Sequence, residues 1–518
     1  MKSSTSINLP LAALFLFLAL GQKGKGDTRP NILWIMSDDH AAQAVGAYGG
    51  RLASLDPTPT LDRLAAEGVR FENMHCGNSI CTPSRASLLT GQHSNVNGVR
   101  TLSDELPVEK QYLPQEFRKA GYETAMIGKW HLTVEPASFD YYCVVPGQGT
   151  YYNPTFYQKG KGQWPDNLIH FSASTKRHAS KATHSSDAIT DLSLEWLSER
   201  EKDKPFFLMH HFKAPHGNWE NASRYDFLYD GVTIPEPKSL WIEPNNGSAA
   251  TEGVGSSIGK RYERRNVGHQ MSVDESLPPS EYKHVAYQRY LKRYLRCVRG
   301  IDDNIARLLA HLEETGEIDN TIILYSSDQG MMLGEHDYMD KRWMYEESLR
   351  MPLIVRDPRL PPSEQGSIRK EMISNIDWAP TLLDLGGIQK PDYMQGDSFK
   401  SVLEGATPKG WKKSIYYRYW MNMAHHDVPA HYGVRTEDYK LIFFYGLPLD
   451  AKGALDWKTT PGWELYDLRK DPKEMNNVYD NPEYSDVRKQ LKKELLRLKE
   501  QYGDTDEAYP ELTKLARQ

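Results

Sequence analysis

The chain has 518 residues, 39% of them hydrophobic and 25% charged, with a formal net charge of -6. That balance excludes a disordered or repetitive protein, and the length exceeds what one ordinary core organises, so a large domain with a smaller one attached is expected. With no global positive field to draw in nucleic acid or another polyanion, an anionic ligand has to be held by a local pocket.

The first residues have the form of a secretory leader, placed at 1–21: Lys2 supplies positive charge, and Leu9 to Leu20 form an apolar run too short to span a bilayer comfortably. No Cys follows that run, and no later segment is long and apolar enough for a membrane helix. A periplasmic or secreted protein with no membrane anchor is therefore expected. Cys76, Cys81, Cys143 and Cys297 are few cysteines for an exported protein of this size. If Cys81 is used for chemistry, at most one disulfide can form among the other three.

The continuous apolar run Asn31 to Ser37 predicts a strand buried on both faces, ending directly in Asp38-Asp39. A helix follows, with Thr58 as N-cap, Pro59 in its first turn and Gly68 as C-cap, and then a strand from Val69 to Met74. The alternation continues with a helix at Tyr112 to Ala120 and a strand at Tyr122 to Ile127. A polar and aromatic insertion runs from Thr133 to Lys181. Another helix carries Ile189, Leu192 and Trp196 on one face and leads into a strand at Pro205 to His211. Tyr282 to Leu312 forms a long amphipathic helix, and Thr321 to Ser327 a buried strand ending in Asp328.

Strands alternating with helices predict an α/β fold with a large, mostly parallel sheet sandwiched by helices, over residues 28–405. From about Trp411 the pattern changes to short alternating strands at Ser414 to Trp420, His431 to Thr436 and Tyr439 to Tyr445, then a charged helix at Ser485 to Tyr502. A C-terminal subdomain over 406–518, with an antiparallel sheet and one helix, is expected. In a parallel sheet the site lies beyond the carboxyl ends of the strands. Asp38, Asp39, Asp328 and Gln329 fall there, and their all-oxygen donors suit a hard cation such as Ca2+, one ion per chain.

The sharpest motif is Cys81-Thr82-Pro83-Ser84-Arg85, followed by Ala86-Ser87-Leu88-Leu89-Thr90-Gly91. With Pro and Arg each near 5% of residues, a given Cys meets the C-x-P-x-R spacing by chance about once in 400. The segment resembles the signature of the type I sulfatases, of the alkaline phosphatase superfamily, in which a maturation enzyme oxidises the cysteine to formylglycine (3-oxoalanine). The chemistry explains the modification: one hydroxyl of the aldehyde hydrate attacks sulfur, and deprotonation of the other later expels sulfate by C–O cleavage. The resemblance extends to Gly128-Lys129-Trp130-His131, Ala214-Pro215-His216, Gly334-Glu335-His336 and Asp340-Lys341-Arg342, and it spans nearly the whole chain to WELYDLRKDPKEMNN.

The resemblance implies that Asp38, Asp39, Asp328 and Gln329 hold the metal together with modified Cys81, and that Arg85 braces the nucleophile. The family more often has Asn or His where Gln329 stands. By the same analogy His131 contacts the nucleophile's hydroxyl, Lys129 and Lys341 neutralise sulfate oxygens, and His216 is the general acid for the departing sugar oxygen. His336, Arg342 and His431 are the further candidate substrate contacts. The strings SDQGMMLGEHDYMDKRWMYEESLRMPLIVR and APHGNWE look most like the bacterial branch related to N-acetylglucosamine-6-sulfatases and mucin-desulfating enzymes. Exo-acting hydrolysis of 6-O-sulfated N-acetylglucosamine in a sulfated saccharide is the implied function. Galactose, fucose or uronic-acid sulfates, a sulfamidase, and a non-catalytic binder of sulfated glycans are the alternatives. A phosphodiesterase of the same superfamily would use Thr or Ser in place of Cys81. Arg289, Arg293 and Arg296 share a helix face that is expected to be solvated.

Overall fold

The computed structural model describes residue 1 and residues 29–171, 183–241, 247–261 and 265–516. The leader expected at 1–21 lies outside the described residues apart from Met1. No helix among the described residues is long and apolar enough to cross a membrane.

The large sheet has 11 strands. Its centre is a parallel set in which Thr321–Ser327, Asn31–Ser37, Phe206–His211, Glu123–Lys129 and Tyr141–Val145 lie side by side. Arg350–Arg356 runs antiparallel between Thr321–Ser327 and Val69–His75. Alternate residues of Asn31–Ser37 serve opposite faces: Ile32, Trp34 and Met36 pack in the cluster with Phe207, Leu353 and Trp378, while Leu33 and Ile35 join Tyr290, Leu291 and Ile301. Both faces are covered, which is why this strand reads as one apolar run.

The insertion between Thr133 and Lys181 is more than a loop. Tyr141–Val145 continues the parallel set, and Thr155–Gln158 and Leu168–His170 extend the sheet antiparallel beyond it. Such short, partly exposed edge strands carry little hydrophobic signal.

The helix Pro59–Glu67 shows how tertiary structure replaces a local cap. Thr58 stands at the N-cap but makes no side-chain cap bond; its Oγ1 accepts from Gly46 N at 2.8 Å and donates to Asp62 at 3.2 Å. The free N–H groups of Thr60 and Leu61 instead donate to the Asp302 carboxylate, each at 2.9 Å, from the long helix Pro279–Glu314. At the other end Gly68 is not left-handed. It is required because a Cβ there would lie 2.3 Å from the Val355 carbonyl oxygen of the neighbouring strand.

Pro279–Glu314 buries Tyr282, Tyr290, Leu291, Ile301 and Leu308 against the sheet. Of the arginines expected on a solvated face, Arg289 and Arg293 are exposed; Arg289 also donates to the Met271 and Ser272 carbonyls, and the half-buried Arg296 donates to the Leu228 carbonyl and Asp230.

The C-terminal part is a four-stranded antiparallel sheet of Ser414–Tyr419, His431–Thr436, Tyr439–Phe444 and Gly462–Asp467. Leu491, Leu495 and Leu498 of the helix Ser485–Gln501 pack on Val434, Leu441 and Phe443. A fourth strand thus adds to the three expected. All four cysteines are buried and free, so no disulfide forms.

Candidate active site

Parallel register brings the acidic strand ends together. Ser37 is aligned with Ser327, and Asp328 N donates to Ser37 O at 3.3 Å, so the next residues of two strands distant in sequence meet at one sheet edge. Asp38, Asp39 and Asp328 each present an oxygen within 4.8 Å of the others. Asp39 turns back with φ of 69°, its N–H donating to Asp328 Oδ1 at 3.1 Å.

The helix Cys81–Thr90 begins at this edge. Cys81 is 1% exposed, with Sγ 3.3 Å from Asp38 Oδ1 and 4.0 Å from Gln329 Nε2. The motif residues around it are anchored: Ser84 Oγ donates to Asp328 O, Thr82 Oγ1 to His131 O at 3.0 Å, and Asn375 Nδ2 to Ser84 Oγ at 3.1 Å. Arg85 joins the two acidic segments. Its Nε donates to Asp328 Oδ2 at 3.0 Å and its Nη1 to Lys129 O at 2.7 Å, with Nη2 3.5 Å from Asp38.

Two lysines complete the charge balance. Lys129 pairs with Asp38 and with Gln148 of the insertion, and Lys341 Nζ donates to Asp39 Oδ2 at 2.5 Å. Gly128 positions Lys129: it has φ of 106°, and a Cβ there would lie 1.9 Å from His211 O. His216, 19% exposed, has Nε2 3.9 Å from Asp39, and Tyr151 OH donates to its carbonyl at 2.6 Å.

Burial raises carboxyl pKa values, yet Lys129, His216, Arg85 and Lys341 hold Asp38 well below the usual range. Burial and the charge of Asp38 push Asp328 up to about 7, against the pull of Arg85. Burial, then the charge of Asp38, also push the Cys81 thiol well above its ordinary range, which makes it a poor nucleophile in the unmodified state. Burial lowers His131 and His216; the next cause is Lys129 for the former and Lys341 for the latter.

The cluster opens into a pocket of about 400 Å3 whose wall includes Asp39, His216, Asp340, Lys341, Arg342 and His426. Arg342 Nε lies 3.2 Å from Asp340 Oδ2. Nine sequence-predicted residues thus assemble around Cys81: Asp38, Asp39, Arg85, Lys129, His131, His216, Asp328, Gln329 and Lys341. Arg342 stands on the pocket wall. His336 and His431 are placed elsewhere. His336 stacks on Tyr345 with centroids 5.1 Å apart, and burial lowers its pKa against the charges of Glu347 and Glu335. His431 is 0% exposed, donates from Nδ1 to Pro429 O at 2.7 Å, and is packed by Tyr417, Tyr419 and Phe444.

Sequence reasoning missed Gln148 and Tyr151, which come from the insertion and carry no motif. It also missed Asp340, visible only as the residue before Lys341, and Lys213, two residues past a strand end.

The sulfatase family profile matches residues 30–388, more than half of the chain. The chain belongs to the sulfatase family. It is a sulfuric ester hydrolase. A second profile, the C-terminal part of N-sulphoglucosamine sulphohydrolase, matches residues 334–501. The chain is 38% identical to the N-acetylglucosamine-6-O-sulfatase of Bacteroides thetaiotaomicron, over 98% of this sulfatase and 93% of that protein. It is 26% identical to the human N-acetylglucosamine-6-sulfatase, over 76% of this chain and 68% of the human one. A solved structure of a protein in complex with its substrate D-glucosamine-2-N,6-O-disulfate superposes with a TM-score of 0.80 at 38% identity, covering 92% of this sulfatase and 99% of that chain.

Proposed function

We propose that this sulfatase is an exo-acting enzyme that removes the 6-O-sulfate of N-acetylglucosamine-type sugars, with Cys81 converted to formylglycine and one Ca2+ at the carboxylate cluster. The observation that carries this reading is the position of Cys81: the first residue of its helix, facing three carboxylates, with fixed cations on both sides and a sugar-sized pocket above. The volume is at the small end of ligand pockets, which span about 300–1,000 Å3, and suits one terminal residue. The names of the relatives supply the sugar and the position.

The residues fit a hard cation. Asp38, Asp39 and Asp328 offer only oxygen, and the Gln329 Oε1 atom is buried with no hydrogen-bond partner among the described residues, an acceptor in need of a positive neighbour. Asp38, Asp39, Asp328 and Gln329 would hold Ca2+, with the modified residue 81 completing the set; when bound, the ion offsets the repulsion of three carboxylates and polarises the attacking oxygen.

The chain's own residues supply the rest. Arg85 holds Asp328 and the start of the Cys81 helix. Lys129 and Lys341 would meet the charge that grows on the sulfuryl oxygens, and His131 Nδ1, buried without a partner among the described residues, is available to the hydroxyl of residue 81. His216, on the pocket wall, donates a proton to the departing sugar oxygen. Burial, Lys341 and Lys129 keep it neutral beforehand, and a sulfate lying between those lysines opposes their field and favours the imidazolium. Before export, C-T-P-S-R would be read by the maturation enzyme, and the product would act in the periplasm or outside the cell.

Mass spectrometry of the Cys81 peptide from the native producer, with sulfate release from a panel of sulfated monosaccharides, tests the reading. Formylglycine and release from 6-O-sulfated N-acetylglucosamine are expected; an unmodified thiol in fully active protein would sink the mechanism. The match to the N-sulphoglucosamine sulphohydrolase profile supports a second reading, N-sulfate cleavage, and the product of glucosamine-2-N,6-O-disulfate separates the two. Chelation is expected to lower activity by on the order of 100-fold, with Ca2+ restoring it. Full activity in protein shown by elemental analysis to be metal-free would rule the ion out.

A further inference from the structure

Each cation at the catalytic cluster has a carboxylate partner. Arg85 lies 3.0 Å from Asp328, Lys341 2.5 Å from Asp39 and Arg342 3.2 Å from Asp340, while Lys129 is paired with Asp38. Lys213 differs. Its side chain has no carboxylate and no hydrogen-bond acceptor among the described residues, although the residue is only 5% exposed. Its one contact of note is the Tyr151 ring, with Nζ 4.6 Å from the centroid.

The fold fixes this placement. The strand Phe206–His211 ends level with Met36 and Gly128, Phe212 N donates to Met36 O at 2.8 Å, and Asp38 N donates to Ala214 O at 3.1 Å. Lys213 is thereby held at the same sheet edge as the acids. Tyr151 braces both neighbours, its ring beneath Lys213 and its hydroxyl on the His216 carbonyl.

The ring face returns little to a cation, and Asp38, Asp39 and Glu220 attract it only from beyond ion-pair distance. A lone ammonium in this position calls for an anion that arrives with the ligand. Burial, then Lys129, lowers its pKa to about 8, so it is charged at neutral pH. Lys213 lines the open pocket together with His216 and Lys341. In the proposed mechanism the scissile sulfate already has Lys129 and Lys341 as its cations, which leaves Lys213 for another anion.

We propose that Lys213 is a specificity-determining residue that binds a second anionic substituent, a sulfate or carboxylate, on or next to the sugar whose ester is cleaved. The inference rests on the 6-O-sulfatase reading and adds a preference for doubly charged substrates.

The test compares wild type, Lys213→Met and Lys213→Arg on three probes: N-acetylglucosamine 6-sulfate, glucosamine-2-N,6-O-disulfate, and N-acetylglucosamine 6-sulfate linked to a uronic acid. A charge-assisted contact of this kind corresponds to about 10- to 100-fold in affinity. The kcat/KM ratio of a doubly charged probe to the monosulfate is expected to fall by that factor in Lys213→Met, mainly through KM, and to be retained in Lys213→Arg. Loss with the disulfate assigns a sulfate at nitrogen, and loss with the uronide a neighbouring carboxylate. A proportional loss on all three probes would place Lys213 on the scissile sulfate, and an unchanged ratio would make it structural; either overturns the inference. Failure of the wild type on every 6-sulfate is a different result, which sinks the 6-O-sulfatase reading and this inference with it.

Discussion

Cys81→Ala is expected to reduce sulfate release by on the order of 10⁴- to 10⁶-fold, the scale of losing a covalent nucleophile. The fold should survive. The helix Cys81–Thr90 is tied down by contacts independent of the sulfur: Ser84 to Asp328 O, Thr82 to His131 O, and Arg85 to Asp328 and Lys129 O. Thermal denaturation close to wild type, with no sulfate released from a 6-O-sulfated sugar, is the predicted pair of measurements. Substantial turnover by the alanine variant would remove residue 81 from the mechanism.

His216→Ala is expected to cost about 10²- to 10⁴-fold in kcat/KM on a sugar sulfate. The loss should depend on the leaving group. A sugar alkoxide needs a proton as it departs, whereas 4-nitrophenolate does not, so much of the lost rate should return with 4-nitrophenyl sulfate. Equal losses on both substrates would show that His216 positions the ester rather than protonating it. The geometry favours the acid role because His216 is on the pocket wall, 19% exposed, while Lys129, Asp38 and Cys81 are buried beneath it.

Much of this site was legible in the residues because its chemistry is local. Asp38-Asp39 and Asp328-Gln329 directly follow apolar strands, and C-T-P-S-R sets the proposed nucleophile and its brace four residues apart on one helix start. Where the sequence misled, the reason was packing. His431 sits in a strand beside polar and aromatic residues and looks like a sugar contact, yet its ring fills the aromatic core beneath the C-terminal sheet. His336 follows a motif glycine, but its left-handed backbone, φ of 56°, accompanies a ring stacked on Tyr345. Thr58 has the composition of a cap and lost that role to Asp302, more than two hundred residues away.

The sequence alone determined the pattern of charge and apolarity along the strands, the family and the proposed nucleophile, since each follows from periodicity or from a motif within a few positions. Tertiary structure decided which distant groups share the pocket. Register between Ser37 and Ser327 brings the two acidic pairs together, and the edge strands of the insertion deliver Gln148 to Lys129 and Tyr151 to His216. The lack, among the described residues, of a carboxylate within ion-pair distance of Lys213 is equally a tertiary fact: a charge is paired or unpaired only through what the folded chain places within a few ångströms of it.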